Sequence, residues 1–255
     1  MKKLFLLGCL LGCTTPLAAD ELRVAVATNF IEVMKQLATD FEQQSGHRVL
    51  LSSGATGKLY AQIKNEAPFA LFFAADEQRP QLLEQEGIAV PGSRFTYALG
   101  KLVLWSPDNG YIDDTQSVLK EQPFRFLSIA NPATAPYGRA AREVLEKLGL
   151  WDGLQGRMVR GENIGQAYQY VYSRNAQLGF VAKAQVYRDG EFSDGSYWQV
   201  PDDFYSPIVQ QAVLLQDTAA ARALLEYVRS PDAIAVIESY GYGVAGERAL
   251  LSRHE

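Results

Sequence analysis

Residues 22–57 read LRVAVATNFIEVMKQLATDFEQQSGHRVLLSSGATG, and the periodicities in this stretch decide the architecture. Leu22 to Ala27 is a short apolar run of strand type. From about Asn29 to Gln44, Phe30, Val33, Met34, Leu37, Ala38 and Phe41 recur at three- and four-residue steps, which predicts a helix with one buried face. Gly46 stops it. Arg48 to Ser52 predicts a second strand, and a short helix from Gly57 to about Glu66 carries Leu59, Tyr60 and Ile63 on one side. Ala70 to Ala74 is continuously apolar, as suits a buried parallel strand. The β-α-β-α-β order implies a parallel sheet with helices on both faces.

The pattern continues outward. A helix near Arg79 to Glu86 precedes a long extended run, Phe95 to Trp105, with Gly100 inside it. A second α/β unit follows: a strand at Phe124 to Ala130, a helix from about Gly138 to Leu148, another helix starting near Ile164, and a buried strand at Gln177 to Ala182. Pro207 to Leu215 is a second long extended run. Two closing helices follow, the last with Ser230 as N-cap and Pro231 at its first position. Two extended runs flanking a central α/β unit predict an α/β chain of two lobes, each a mostly parallel sheet flanked by helices, joined by two crossing strands. The expected division is 20–100 with 208–255 for the first lobe and 101–207 for the second. A cleft between such lobes is the default ligand site, and it can close by hinge motion.

The N-terminus sets the expected compartment. Lys2-Lys3, the apolar run Leu4 to Leu11 and Leu17-Ala18-Ala19 form a secretory signal, residues 1–19, with cleavage after Ala19. The apolar run is far short of the roughly 20 residues that span a bilayer. Leu10-Leu11-Gly12-Cys13 also resembles a lipobox, which would place a lipid anchor on Cys13. Export points to the periplasm. Cys9 and Cys13 are the chain's two cysteines, so cleavage after Ala19 leaves no disulfide or thiolate chemistry. At 255 residues and 47% hydrophobic composition the chain can support its own core. Its formal charge is −5, and losing Lys2 and Lys3 makes it more negative still, which argues against nucleic-acid binding. Any anion must then be held by local geometry against the overall field.

Four segments open helices after strands: Thr28-Asn29, Ser53 to Gly57, Ala135-Pro136-Tyr137-Gly138, and Asn163 to Gln166. A helix start offers unpaired N–H groups and the positive end of the peptide dipoles, so such starts facing one cleft can cage an anion. Thr28, Asn29 and Thr56 add neutral side-chain donors. Asn163 with Gln166 has the spacing of a capping box and leaves the Ile164 N–H free, as the Tyr137 N–H is free. Each segment alone is more often an ordinary cap or turn. The stretches Thr28-Asn29-Phe30 and Ser52 to Gly57 contain no lysine, arginine or histidine, so the ligand they suggest is a doubly charged oxyanion bound by hydrogen bonds.

Together, Thr28-Asn29-Phe30, Ser52-Ser53-Gly54-Ala55-Thr56-Gly57, Gly92-Ser93-Arg94-Phe95, Asn131-Pro132, Ala135-Pro136-Tyr137-Gly138 and Gly179-Phe180-Val181 resemble the periplasmic molybdate-binding proteins of ABC transporters. The resemblance implies a type II periplasmic binding fold, and a tetrahedral oxyanion, molybdate and also tungstate, as the ligand. It implies binding by Thr28, Asn29 and Thr56 from the first lobe, through side-chain and backbone donors. From the second lobe it implies Tyr137 and Ile164, through backbone N–H groups. It further implies a permease and an ATPase as partners, a monomer, membrane contact only through transporter docking or an anchor at Cys13, and neither cofactor nor catalysis. One departure stands out. Some family members carry a tyrosine ligand directly after the Gly-hydrophobic-Val strand and a serine at position 29; here Ala182 and Asn29 stand instead.

Three other classes stay open from the residues. A sulfate- or thiosulfate-binding protein shares the same physics. A ferric-ion binder would use tyrosines such as Tyr168, Tyr170 or Tyr172 with carboxylates, although these three cannot share one helical face. An enzyme would need a nucleophile with its base, and Ser53 has no histidine in plausible relation to it. Asp76 reads as a helix cap. His47 and His254 read as neither catalytic nor metal-binding.

Overall fold

The computed structural model describes residues 19–113 and 115–244. Residues 1–18 of the expected signal segment, with Cys9 and Cys13, and residues 245–255 of the expected first lobe lie outside them. The chain begins β1 (Glu21–Ala27), a 3-10 turn (Thr28–Phe30), α1 (Ile31–Ser45), β2 (Arg48–Gly54), α2 (Thr56–Lys64), β3 (Leu71–Ala74), α3 (Gln78–Gln85) and β4 (Phe95–Gly100). It continues through β5 (Leu102–Ser106), α4 (Ser117–Glu121), β6 (Leu127–Ala130), α5 (Pro136–Lys147), β7 (Met158–Gly161), α6 (Ile164–Tyr172) and β8 (Leu178–Ala182). A small hairpin of β9 (Tyr187–Arg188) and β10 (Glu191–Phe192) precedes β11 (Ser196–Gln199), β12 (Ile208–Leu214), α7 (Ala219–Val228) and α8 (Pro231–Ser239).

The strands form two five-stranded sheets with the same layout. One runs β2-β1-β3-β12-β4 and the other, read from its opposite edge, β7-β6-β8-β5-β11. In each, three neighbouring strands are parallel, a fourth joins them antiparallel, and the fifth, antiparallel to the fourth, runs with the first three. The sheets are therefore mixed but mostly parallel, as the sequence pattern predicts, with four strands of each running one way and one the other. The reason is directional. β1, β2, β3 and β4 all end at the cleft, as do β6, β7, β8 and β11. β5 and β12 enter their sheets from the cleft, so they must run the other way.

Sheet membership changes across Lys101 and again between Gln199 and Ile208. The two crossings are tied together: Lys101 pairs with Asp202 at 2.7 Å, and the Leu102 N–H donates to the Tyr205 hydroxyl at 3.1 Å. Each sheet is covered by apolar helix faces. Val33, Met34, Leu37, Ala38 and Phe41 of α1 are all buried, at the spacing that predicted the helix. Burying each of the larger side chains stabilises by about 1.5–3 kcal/mol. Gly46 ends α1 with φ of 74°, a conformation that favours glycine. Ser230 caps α8 through the Ala233 N–H, and Asn163 caps α6 through the Gln166 N–H. Among the described residues no helix is long and apolar enough to cross a membrane.

Candidate functional site

The two sheets place their equivalent strand ends against each other. β1 ends at Thr28-Asn29 and β2 leads into Thr56, while β6 leads into Tyr137 and β7 into Ile164. These four junctions occupy corresponding positions in the two layouts, at the carboxyl ends of parallel strands, where α/β proteins bind ligands. Between them lies a narrow chamber lined by Ala27, Thr28, Asn29, Gly54, Ala55, Thr56, Ala75, Ala135, Pro136, Tyr137, Asn163 and Ile164. No aspartate, glutamate, lysine, arginine or histidine is among them.

Local packing fixes each group. Phe30 is fully buried between Tyr97, Tyr242 and Phe73, with ring centroids at 4.6, 5.5 and 6.3 Å, and so anchors the 3-10 turn that carries Thr28 and Asn29. The Thr28 Oγ1 is buried without a hydrogen-bond partner. Such an atom calls for one, because an unmet buried hydroxyl costs about 1–3 kcal/mol. Thr56 opens α2, and its Oγ1 accepts from the Ala75 N–H at 3.1 Å. Its own proton is thereby directed elsewhere, and its backbone N–H, at the first helical position, has no intrahelical acceptor. Tyr137 is the second residue of α5, behind Pro136, and Ile164 the first of α6 behind its Asn163 cap. Their N–H groups lack intrahelical partners for the same reason.

Asn29 departs from the sequence reading. Both of its side-chain amide hydrogens are committed inside lobe one, to Gln210 Oε1 at 2.8 Å and to the Tyr242 hydroxyl at 3.0 Å. The Tyr242 hydroxyl in turn donates to the Asn29 carbonyl at 2.8 Å. The side-chain donors of Asn29 are therefore taken, which leaves its backbone N–H as the donor it can offer the chamber. Ser52 and Ser53, in the same stretch as Thr56, lie in β2, are exposed, and do not line the chamber. Asp76 accepts from the Arg79 N–H at 3.0 Å and forms an ion pair with its guanidinium, the cap that the sequence suggested.

The lobes are closed on each other. The Gly57 N–H donates to the Thr134 carbonyl at 2.9 Å and Lys58 pairs with Glu162 at 2.7 Å. Arg188 reaches Gln36 at 3.0 Å, and the Asp189 N–H donates to the Ser239 carbonyl at 2.8 Å. At Gly165 the approach is so close that a Cβ would overlap Thr28 Cγ2. A larger cavity flanks the chamber, bounded by α6, the β9–β10 hairpin and Tyr240. Tyr168 lines it and stacks on Trp105, whereas Tyr172 is 62% exposed, so the tyrosines of α6 pack and rim this cavity and contribute nothing to the chamber.

The Thr56 hydroxyl gives a direct test. Thr56→Ala leaves the Ala75 N–H without its acceptor and should lower unfolding free energy by about 1–3 kcal/mol. Thr56→Ser keeps the bond and should hold stability within about 0.5 kcal/mol of the parent. Denaturant titration of the two variants checks this.

Comparison with known proteins agrees with the architecture. The family of bacterial extracellular solute-binding proteins matches residues 22–243. The molybdate-binding protein ModA of Azotobacter vinelandii is 53% identical over 238 residues, 92% of this chain and 94% of that protein. ModA of Rhodobacter capsulatus is 45% identical over 240 residues, 92% and 93% of the two chains. The solved structure of the Azotobacter vinelandii periplasmic molybdate-binding protein superposes with a TM-score of 0.85 at 46% identity, covering 88% of this chain and 99% of that one. The two mixed, helix-flanked sheets are the type II periplasmic binding fold. The chain belongs to the bacterial extracellular solute-binding protein family, in the same group as these ModA relatives.

Proposed function

We propose that this protein is the periplasmic solute-binding component of an ABC importer and that it binds molybdate, and tungstate with it, in the interlobe chamber. The observation that carries this reading is the chamber's donor set: four corresponding helix starts, an unpartnered buried Thr28 hydroxyl and a directed Thr56 hydroxyl, with no charged side chain on the wall. Molybdate and tungstate are fully deprotonated at neutral pH and offer acceptors only, which matches walls that offer donors. Monoprotonated phosphate needs an acceptor for its own proton, and no carboxylate lines the chamber. A ferric ion would need anionic ligands there. The nearest phenol, Tyr137, turns its hydroxyl toward Gln210, and burial holds that hydroxyl well above the usual tyrosine range, in its neutral form.

On this reading Thr28 and Thr56 donate through hydroxyl and backbone, Asn29 through its backbone, and Tyr137 and Ile164 through their N–H groups. Hydrogen bonds to a charged partner contribute roughly 1.5–3 kcal/mol each. About five of them sustain micromolar to nanomolar affinity once desolvation and closure are offset. The protein is a carrier without catalysis or cofactor, and the closed form would dock a permease–ATPase pair as a monomer. Sulfate remains the second reading, favoured by the same acceptor-only chemistry.

Thermal denaturation with equal micromolar molybdate, tungstate, sulfate or phosphate tests the proposal. A ligand at about 1,000 times its dissociation constant adds roughly 4 kcal/mol, which should raise the midpoint by about 8–16 °C for a chain of this size. The expected result is a rise with molybdate and tungstate. A rise with sulfate alone would change the substrate, and no rise with any of the four would refute the proposal.

A further inference from the structure

Gln210 sits in β12, on the return crossing, and is fully buried. A buried polar side chain that only filled space would be replaced without loss by leucine or methionine, because burial penalises every unpaired polar atom. Gln210 is instead paired at both ends. Its Oε1 accepts from Asn29 Nδ2 at 2.8 Å and lies 3.0 Å from the Tyr97 hydroxyl, and its Nε2 donates to the Tyr137 hydroxyl at 3.3 Å. One side chain thus touches the turn that carries Thr28 and Asn29 in the first lobe and the start of α5 in the second. Both are walls of the chamber.

Two further features converge on this contact. The ladder between β12 and β4 changes register between Gln210 and Gln211, an irregularity that re-aims side chains locally. At the end of β4, a Cβ on Gly100 would overlap the Tyr137 hydroxyl and lie 2.8 Å from Gln210 Nε2. Glycine at 100 therefore leaves the space in which the glutamine and the tyrosine meet. Burial holds the hydroxyls of Tyr97, Tyr137 and Tyr242 above the usual tyrosine range, so all three remain neutral donors.

We propose that Gln210 is a positioning residue for the oxyanion site: it holds the Asn29 turn and the Tyr137 end of α5 at the spacing at which their N–H groups reach one ligand. This rests on the functional reading given above. Its consequence is kinetic. The contact exists only while the two walls are in register, so its loss shortens the life of the closed complex and leaves encounter with the open protein unaffected.

The test uses Gln210→Met, which keeps volume, and Tyr137→Phe, which removes only the contact from the second lobe. Both should fold, because Asn29 keeps the Tyr242 hydroxyl and Tyr97 keeps the Ala74 carbonyl at 3.0 Å. Stopped-flow binding of molybdate should show dissociation about tenfold or more faster in each variant, with association within about threefold of the parent. The double variant should dissociate more slowly than the product of the two single effects gives, since the Gln210–Tyr137 contact is lost in both, while Tyr137 alone loses its contact with the Tyr242 hydroxyl and Gln210 alone those with Asn29 and Tyr97. A purely structural role would lower the ligand-free melting point and leave the dissociation rate alone. Unchanged dissociation in both variants, or effects that multiply in the double variant, would overturn the inference. Failure of the parent itself to bind any of the four oxyanions would refute the functional reading beneath it.

Discussion

Thr28→Asp is expected to abolish oxyanion binding while leaving the ligand-free protein folded. The hydroxyl it replaces is buried, lacks a partner and lines the chamber. At a helix start an aspartate is well tolerated by the backbone and by the dipole. Against a dianion it is not tolerated. Two like unit charges about 4 Å apart repel by about 4 kcal/mol at an effective dielectric of 20, so a carboxylate facing two charges loses about 8 kcal/mol. That is on the order of a 10⁵- to 10⁶-fold rise in Kd. The repulsion can be relieved only by protonating the carboxyl, so a bound dianion raises its pKa. Affinity should therefore return as pH falls below about 5 and vanish as pH rises. Thr28→Val removes the donor without adding charge and should weaken binding by roughly 1.5–3 kcal/mol, about 10- to 150-fold. Calorimetric titration of both variants across pH separates charge from hydrogen bonding. Micromolar affinity retained by the aspartate variant at pH 7 would mean that Thr28 does not face the anion.

The second large effect is expected at Gly165, from closure. This glycine is the second residue of α6 and lies against Thr28 across the cleft. Alanine there should favour the isolated helix by about 0.5–1 kcal/mol, since glycine is the poorer helix former. In the closed form its Cβ would overlap Thr28 Cγ2 and sit 3.1 Å from Asn163 Oδ1. Overpacking of this kind costs about 1–3 kcal/mol, roughly a 5- to 150-fold loss of affinity. The two effects have opposite signs, which makes Gly165→Ala diagnostic: a ligand-free protein at least as stable as the parent, with weaker binding. Denaturant unfolding and titration on the same preparation read both. Equal affinity in parent and variant would show that the close approach at Gly165 is not needed for the bound state.

Much of the architecture was legible because local rules and the global fold agree. The three- and four-residue recurrence from Phe30 to Phe41 made α1 visible, and Ser230-Pro231 marked α8 to the residue. The junctions at Thr28, Thr56 and Tyr137 could be read as helix starts because strand patterns end just before them, and the one at Ile164 because Asn163 and Gln166 have the spacing of a capping box. β7 was not read: it is a four-residue strand, Met158–Gly161, with Arg160 exposed in its middle, too short for a period to emerge. The two-residue strands β9 and β10 and the short α4 escaped for the same reason. Which strand of each sheet runs against the others could not be read, because its direction is set by where the crossings enter.

The site was legible in its residues more than in their roles. Asn29 looked like a side-chain donor to the ligand because carboxamides at helix starts usually face outward. Its two amide hydrogens are instead taken by Gln210 and Tyr242, 181 and 213 positions away along the chain. No local pattern announces partners that far apart. Gln210 was invisible for the same reason, lying in a run, IVQQAVL, whose apolar residues suffice to call a buried strand.

Anomalous diffraction at the molybdenum absorption edge, from crystals of the protein grown with micromolar molybdate, would locate the ligand without reference to any variant. The expected result is a single strong peak inside the chamber, about 3.5–4.5 Å from Thr28 Oγ1, Thr56 Oγ1 and the amide nitrogens of Tyr137 and Ile164, as hydrogen bonds of normal length to the oxyanion oxygens require. A peak in the larger cavity beside Tyr168 and Tyr240, or no peak at all, would contradict the assignment of the chamber as the oxyanion site.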